Sequence, residues 1–507
     1  PIKSASIAWV GEEAPVIYRN GEKYLYVDIT YELAVGSRGA TYSDFVNGNN
    51  RIKDYNLYNK YMVHCYEIGK LAAKDGEVEY YIVLKCNGYE YKSNVLKLTL
   101  ATCSHPKDSF SYENDGFVIC GICDALIEAE VVDADGKSLG YADIESAIKL
   151  AQENEGSTVK LMSEGVSESV TVTGGRFTVD FNGKKVFYQF DVNGGDVTFT
   201  SSVKQADVET LISGITVNGT DAKVTIDGKI KLGSVTLTSG ALAVNSTDGY
   251  IKELSINGGA TVINGANIDA LKTYGGDTVI NDVNADSLTM CDNRSGGSEY
   301  NISIVSGMFG SFTCENGSNY TLGRAIASGS VVSADSMNGI TVYTYEAIQT
   351  MTSTYRIFVD KCSHKDKNGS YVLDGNPCPY CNEEIVATVS YTAGGSEETD
   401  LFTNIYDAFA KANEAGTATV TLQKNITDDI TDTIAVTGNV TLELNGKRLS
   451  QPGTDVWYSI EVTSGKLTVN GSGLIKRVAV RNGGDAEING GTFSDFIIKD
   501  GGNALIK

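Results

Sequence analysis

One segment of this chain occurs twice, first from Cys103 to about Val186 and again from Cys362 to about Leu449. Each copy opens with Cys-Ser-His, reaches a Cys-x-x-Cys, passes through an amphipathic stretch, and ends in alternating residues closed by Asn-Gly-Lys. Cys103, His105, Cys120 and Cys123 match Cys362, His364, Cys378 and Cys381, and Asn182-Gly183-Lys184 matches Asn445-Gly446-Lys447. A duplication of this kind sets the domain count more firmly than length does, because each repeat must close a core of its own or share one with its neighbour. Length alone, at 507 residues, allows about three or four domains.

The cysteines narrow the chemistry. Of ten, six belong to the two repeated sets, which read Cys103-x-His105-x14-Cys120-x2-Cys123 and Cys362-x-His364-x13-Cys378-x2-Cys381. Three thiols cannot all pair as disulfides, and a redox Cys-x-x-Cys does not need a Cys-x-His upstream at a fixed distance. Three thiols and an imidazole suit tetrahedral zinc. With all four positions filled by protein, no water or substrate can reach the ion, so both sites are expected to be structural. Each closes a loop poor in apolar residues, whose folding energy the metal would largely supply.

Past each loop the pattern changes. Ile144, Ala147, Ile148 and Ala151 fall at helical spacing, and Ile405, Ala408, Phe409 and Ala412 repeat it. One apolar stripe results, suited to a short helix that lies as a lid over the bare strand edges of a solenoid. Short alternating units follow, among them Phe177 to Gly183, Ala222 to Gly228, Ala260 to Gly265 and Val440 to Gly446. Regular short strands with Gly and Asn at the corners predict a parallel β-helix, in which each coil buries its inward residues on the next. An array of β-sandwiches is the alternative, disfavoured because residues 157 to 345 lack longer strands. Asn at the corners can form side-chain ladders or simply tight turns.

Residues 1–101 have no counterpart later. β-rich runs such as Tyr24 to Ile29, Tyr80 to Cys86 and Val95 to Leu100 are separated by Asn-Gly and Asp-Gly turns, the pattern of a small antiparallel sandwich. Tyr81, Cys86, Ser93, Asn94 and Leu98 resemble the last hairpin of bacterial immunoglobulin-like domains. Cys65 and Cys86 are either a disulfide or two buried thiols. Cys291 and Cys314 are spaced by about one coil of a typical β-helix, which leaves open whether they bond.

The expected architecture is therefore all-β: an immunoglobulin-like sandwich over 1–101, a zinc-ribbon-like loop over 102–130, a helical cap and right-handed parallel β-helix over 131–361, a second zinc-ribbon-like loop over 362–384, and a second cap and β-helix over 385–507. Pro1 in place of Met, and a repeat rhythm that persists to Lys507, lead us to expect a piece of something longer. A formal charge of −23 argues against nucleic acid, whose phosphates need a basic face, and against an anionic membrane surface. No run approaches the length of a membrane span.

This combination of modules resembles large surface proteins of Gram-positive, gut-dwelling Firmicutes. The resemblance implies a secreted, cell-surface protein acting as an adhesin or binder of host molecules, with host glycoprotein, glycan, mucin, matrix protein or immunoglobulin as partner, and it transfers no binding residue to a numbered position. A passive spacer fits the same modules. The enzymatic alternative is a β-helix polysaccharide lyase or hydrolase. Hydrolysis needs paired carboxylates, yet the Asn-Thr-Asp and Gly-His-Gly of pectin hydrolases do not occur, and of the three histidines only His64 lies outside the metal sets. Asp282, Asp286 and Asp292 with Arg294 are the best lyase candidates and read more naturally as solvated turn residues. Asp133-Ala134-Asp135-Gly136 lacks the distal Glu of a calcium loop and reads as a turn.

Overall fold

Alternating runs of this kind become strands, and the computed structural model is all-β, with 60% strand, 8% helix and about 15 solenoid turns between residues 157 and 506. It describes residues 2–11, 15–18, 24–33, 40–50, 55–56, 60–64, 74–113, 115–164, 167–203, 213–291, 301–315, 321–336, 339–365, 371, 377–427, 432–450 and 459–507. Two compact units divide the chain, one built mainly from Pro1–Thr278 and one mainly from Asn301–Lys507.

The first unit begins with two sheets that share one apolar core, as in a sandwich. Ile2–Trp9, Tyr24–Leu33 and Lys60–His64 form one sheet, while Leu96–Ala101, Gly76–Cys86 and Thr41–Val46 lie at the centre of the other. Ile7, Ile17, Val27, Ile82, Leu84 and Leu98 fill the space between them. Asn94 joins the sheets: its side chain accepts from the Ile7 amide at 2.7 Å and donates to the Ile7 carbonyl at 2.9 Å. It thus gives the first strand the pairing that a neighbouring strand would otherwise provide.

From Ser157 the coils stack. Ser157–Leu161, Ser169–Asp180, Gln189–Thr200, Lys223–Asp227, Ala241–Ile256 and Ala260–Thr273 pair in parallel, each with the next. Their register brings Val179, Phe199, Ile226, Val244 and Ile263 into one inward column, every member of which is fully buried. The strands are longer than the short units of the sequence suggested. Ala241–Ile256 runs for 16 residues, because it turns its corner through register shifts between Val244 and Ile251; such bulges bend a strand while the ladder continues on either side. At another corner Gly240, Gly259 and Gly276 all take positive φ, and a Cβ on Gly259 would lie 2.4 Å from the Gly240 carbonyl oxygen. Only glycine fits between coils there.

Each cap is a helix with a hairpin. Ile144–Glu153 is N-capped by Asp143, which accepts from the Ser146 amide at 2.8 Å, and buries the predicted stripe of Ile144, Ala147, Ile148 and Ala151. Removing the two isoleucines from water contributes about 3 to 6 kcal/mol. The edge of the first coil is covered by a strand as well as by the helix: Ala129–Val132 pairs antiparallel with Ser157–Leu161. The second unit repeats the device. Ile405–Ala415 buries Ile405, Ala408, Phe409 and Ala412, and Ala387–Ala393 pairs antiparallel with Thr417–Leu422. Parallel coils follow, with Val420, Leu442, Val469 and Ile488 in one buried column.

One stretch departs from the expected coil rhythm. Within the segment expected as the first β-helix, Gly307–Glu315, Ser353–Lys361, Ser330–Ser336 and Gly339–Val342 pair antiparallel. Alternation fixes which side chains face inward and leaves strand direction open, so the sequence pattern alone could not separate these strands from another coil.

Candidate metal centres

The two Cys/His sets are each gathered into one buried cluster. Cys103 follows the strand Leu96–Ala101 after a single residue, and the loop then makes a hairpin of Phe110–Tyr112 with Val118–Cys120. Cys362 follows Ser353–Lys361 directly. In both copies the Cys-x-x-Cys turn is built identically. The Asp124 amide donates to the Cys120 carbonyl and the Cys120 amide to the Ala125 carbonyl; the Asn382 amide donates to the Cys378 carbonyl and the Cys378 amide to the Glu383 carbonyl, all at 2.8–2.9 Å. Asp124 and Asn382 take φ of 60° and 61°, and His105 and His364 take 47° and 53°. Left-handed backbone is uncommon outside glycine, least so for Asn, Asp and His. Its recurrence at matched positions shows that the Cys-x-His and Cys-x-x-Cys turns share one conformation in the two copies.

Distances decide what the clusters can hold. The Cys103 and Cys120 sulfurs lie 3.8 Å apart, and Cys362 and Cys378 3.7 Å. Cys123 Sγ lies 3.4 Å from His105 Nδ1, and Cys381 Sγ lies 3.5 Å from His364 Nδ1. A disulfide needs about 2.0 Å. A tetrahedral ion with sulfur at about 2.3 Å and nitrogen at about 2.05 Å needs sulfur–sulfur edges of about 3.8 Å and sulfur–nitrogen edges of about 3.5 Å. The observed edges match, and all four ligand atoms of each set fall within 4.8 Å of one another. Among the described residues these are the two sets of His, Cys, Asp or Glu that converge in this way.

The electrostatics agree. Burial opposes ionisation of Cys120, but hydrogen bonds from His105 and Ser109 prevail and bring its thiol down to about 6. Burial pushes Cys103 and Cys123 up. In the second copy a hydrogen bond from Cys381 brings Cys362 down to about 6, while the same contact and burial push Cys381 up. Three thiols this close ionise together only beside a cation.

The other singled-out residues lie elsewhere. Cys291 donates to Glu315 Oε2 at 3.2 Å, which puts it one coil from the Cys314 strand, and both thiols are free. Cys86 is buried, and Cys65 lies outside the described residues. His64 ends the strand Lys60–His64, opposite Tyr24. Asp282 and Asp286 lie on Asp277–Cys291; Asp292 and Arg294 lie outside the described residues. Asp133 closes a turn, accepting from the amides of Asp135 and Lys137 at 3.0 and 2.8 Å. Ser109, which touches Cys120 Sγ at 3.6 Å and whose carbonyl accepts from the Gly121 amide, supports the first cluster and was not singled out by sequence reasoning, because a lone serine six residues from a cysteine carries no pattern.

Comparison with protein-family profiles, with curated proteins and with solved structures returns no match to this chain.

Proposed function

We propose that the chain is a non-enzymatic binding scaffold of a bacterial cell surface, an adhesin for host glycan or glycoprotein, held in shape by two structural zinc ions. The observation that carries this reading is the repetition of side chains between coils. Asn264 donates to Asn245 at 3.1 Å, Asn284 to Asn267 at 3.3 Å, and Asn489 to Asn470 at 3.0 Å. Lys272 pairs with Glu253 at 2.9 Å and Lys466 with Glu487 at 2.5 Å. Adjacent strands sit about 4.8 Å apart, so a coil face offers the same polar group at a fixed step, and contacts that are individually weak add when a repetitive polymer lies along it. Zinc is favoured for the clusters because a thiol-rich, closed tetrahedral set has the ligands and the edge lengths that zinc takes in structural sites.

The test is an array of mucin-type glycans, glycosaminoglycans and pectins probed with the full chain at neutral pH, followed by analysis of the same glycans for cleavage. Retention of host glycans without product supports the reading. Release of unsaturated or shortened oligosaccharides would replace it with the polysaccharide lyase or hydrolase, and retention of nothing would leave the passive spacer.

A further inference from the structure

We infer that each Cys/His cluster is a metal-dependent joint that fixes a solenoid cap to the sheet before it; this rests on the reading that the clusters hold zinc. Almost no linker exists at either place. Thr102 alone separates Ala101 from Cys103, and Lys361 is bonded directly to Cys362. In both copies the cluster packs on the strand that neighbours the last strand of the preceding sheet. Tyr18, the register partner of Ala101, lies against the first cluster. Val331, the register partner of Asp360, lies against the second. The two preceding sheets have different topologies, so the shared contact belongs to the loop rather than to its neighbour.

Further bonds tie each loop to its surroundings. In the first copy the Val118 amide donates to Ser163 Oγ at 2.9 Å, the Glu164 amide donates to the Gly116 carbonyl at 3.1 Å, and Phe110 packs edge-on against Tyr141 at 5.0 Å. These reach the cap and first coil. In the second copy the Cys362 amide donates to the Gly329 carbonyl at 2.7 Å, Ser328 Oγ donates to Glu383 at 2.6 Å, and the Tyr345 amide donates to the Pro379 carbonyl at 2.9 Å. Those reach back to the turn before Ser330–Ser336 and to the short helix Tyr345–Ile348 beside the preceding sheet, while Lys424 pairs with Glu384 at 2.6 Å on the cap side.

What holds the second loop is thin without an ion. Among its described residues the buried apolar centre is Cys362, Cys378 and Cys381 themselves, with Val331 and Tyr380 partly covering them. Such a core buries too little apolar surface to offset the entropy of ordering a loop. Pro379 therefore stays in place as an acceptor only while the ligands are gathered, whereas around Gly116 the ion adds to the buried Val118, Ala125 and Ile127; the amides the two carbonyls bind, Tyr345 and Glu164, lie outside the loops and report on the joint.

The experiment is hydrogen exchange read by mass spectrometry on the full chain, zinc-loaded and after treatment with a strong chelator under reducing conditions, with metal content measured on the same samples. Metal loss is expected to speed exchange at Tyr345 and Glu164 by tenfold or more, while Val420 and Leu442 inside the coils keep their protection. Cys378→Ser should reproduce the effect at Tyr345 and leave Glu164 unchanged. Unaltered exchange at Tyr345 and Glu164 after the metal has left would overturn the joint and leave the metal site standing. Equal acceleration in the coil interior would also overturn it, since the ion would then belong to the core of the fold. A chain that neither carries zinc nor takes it up would remove the reading of the clusters, and the joint with it.

Discussion

Glu128 Oε2 accepts a hydrogen bond from the Ile144 amide at 2.6 Å, and both residues are buried. The carboxylate thus satisfies a donor at the start of the first cap helix from inside the core. Val386 occupies the equivalent place in the second copy: the Glu128 and Val386 amides donate to the Ala142 and Phe402 carbonyls, and their carbonyls accept from the Met162 and Gln423 amides. The fold therefore does not need an acid there. Beside Glu128 lies Tyr188, which is fully buried and faces the carboxyl group.

Burial, with repulsion from Glu168 and Asp143, raises the Glu128 carboxyl above its ordinary value of 4.5. The folded chain then keeps a proton that the unfolded chain has released. Stability from this group is present below the unfolded value and is lost as pH rises through the folded one. Glu128→Gln keeps an acceptor for Ile144 and removes the charge, so the fall in melting temperature from pH 4.5 upward should flatten, with a gain of about 1 kcal/mol or more at pH 8. Thermal melts across pH check this. A variant with the parent's slope would show that Glu128 does not titrate in that range.

Thr261 and Thr278 point inward, are 1% and 2% exposed, and leave their hydroxyls without partners among the described residues. Thr261 shares its column with Leu242, so the site accepts an apolar group of the same shape. Thr261→Val and Thr278→Val should each stabilise the chain by about 1 kcal/mol, because an orphaned buried hydroxyl is replaced by a methyl. Denaturant midpoints measure it; destabilisation by either variant would mean that the hydroxyl has a partner, such as an enclosed water.

Two glycines separate backbone strain from coil packing. Gly48 and Gly259 both have positive φ, but a Cβ on Gly48 meets open space, whereas one on Gly259 meets the Gly240 carbonyl oxygen at 2.4 Å. Gly48→Ala should cost about 1 kcal/mol for the left-handed conformation. Gly259→Ala should cost at least about 2 kcal/mol more, since neighbouring coils cannot move apart without losing their ladder. Equal losses in chemical denaturation would argue that the coils can part locally.

Much of this architecture was legible in the residues. The helical spacing of Ile144, Ala147, Ile148 and Ala151, repeated at Ile405, Ala408, Phe409 and Ala412, gave both caps, and the odd number of thiols in each set led to the residues that gather in the two buried clusters. Asn182-Gly183 and Asn445-Gly446 are tight turns, as their composition suggested, with Asn182 and Asn445 also donating to the Leu161 and Leu422 carbonyls at 3.0 and 3.1 Å. What stayed hidden depends on who pairs with whom. Strand direction over Gly307–Glu315 and Ser353–Lys361 leaves no trace in alternation, and a buried Glu128 looks like any other acid in a chain with 64 of them. The role of Asn94 in holding Ile7 spans 87 positions, beyond any local pattern.

The clusters make a prediction whose size follows from their ligand count. To bind a metal, three thiols and one imidazole must give up their protons, and thiols ordinarily hold theirs to about 8.5. Cys120 and Cys362, brought down to about 6, have already released theirs above that pH, so between about pH 6.5 and 8.5 the other two thiols of each cluster together weaken the apparent affinity on the order of a hundredfold per unit of acidification. Competition with a chromophoric chelator at pH 7.5 and 6.5 measures that slope. Cys120→Ser removes one thiol from the first cluster, so the full chain should bind one tight zinc instead of two. A flat response over this interval would leave only the already ionised thiol as a ligand, which the 3.8 Å and 3.7 Å sulfur pairs do not permit in a filled tetrahedron.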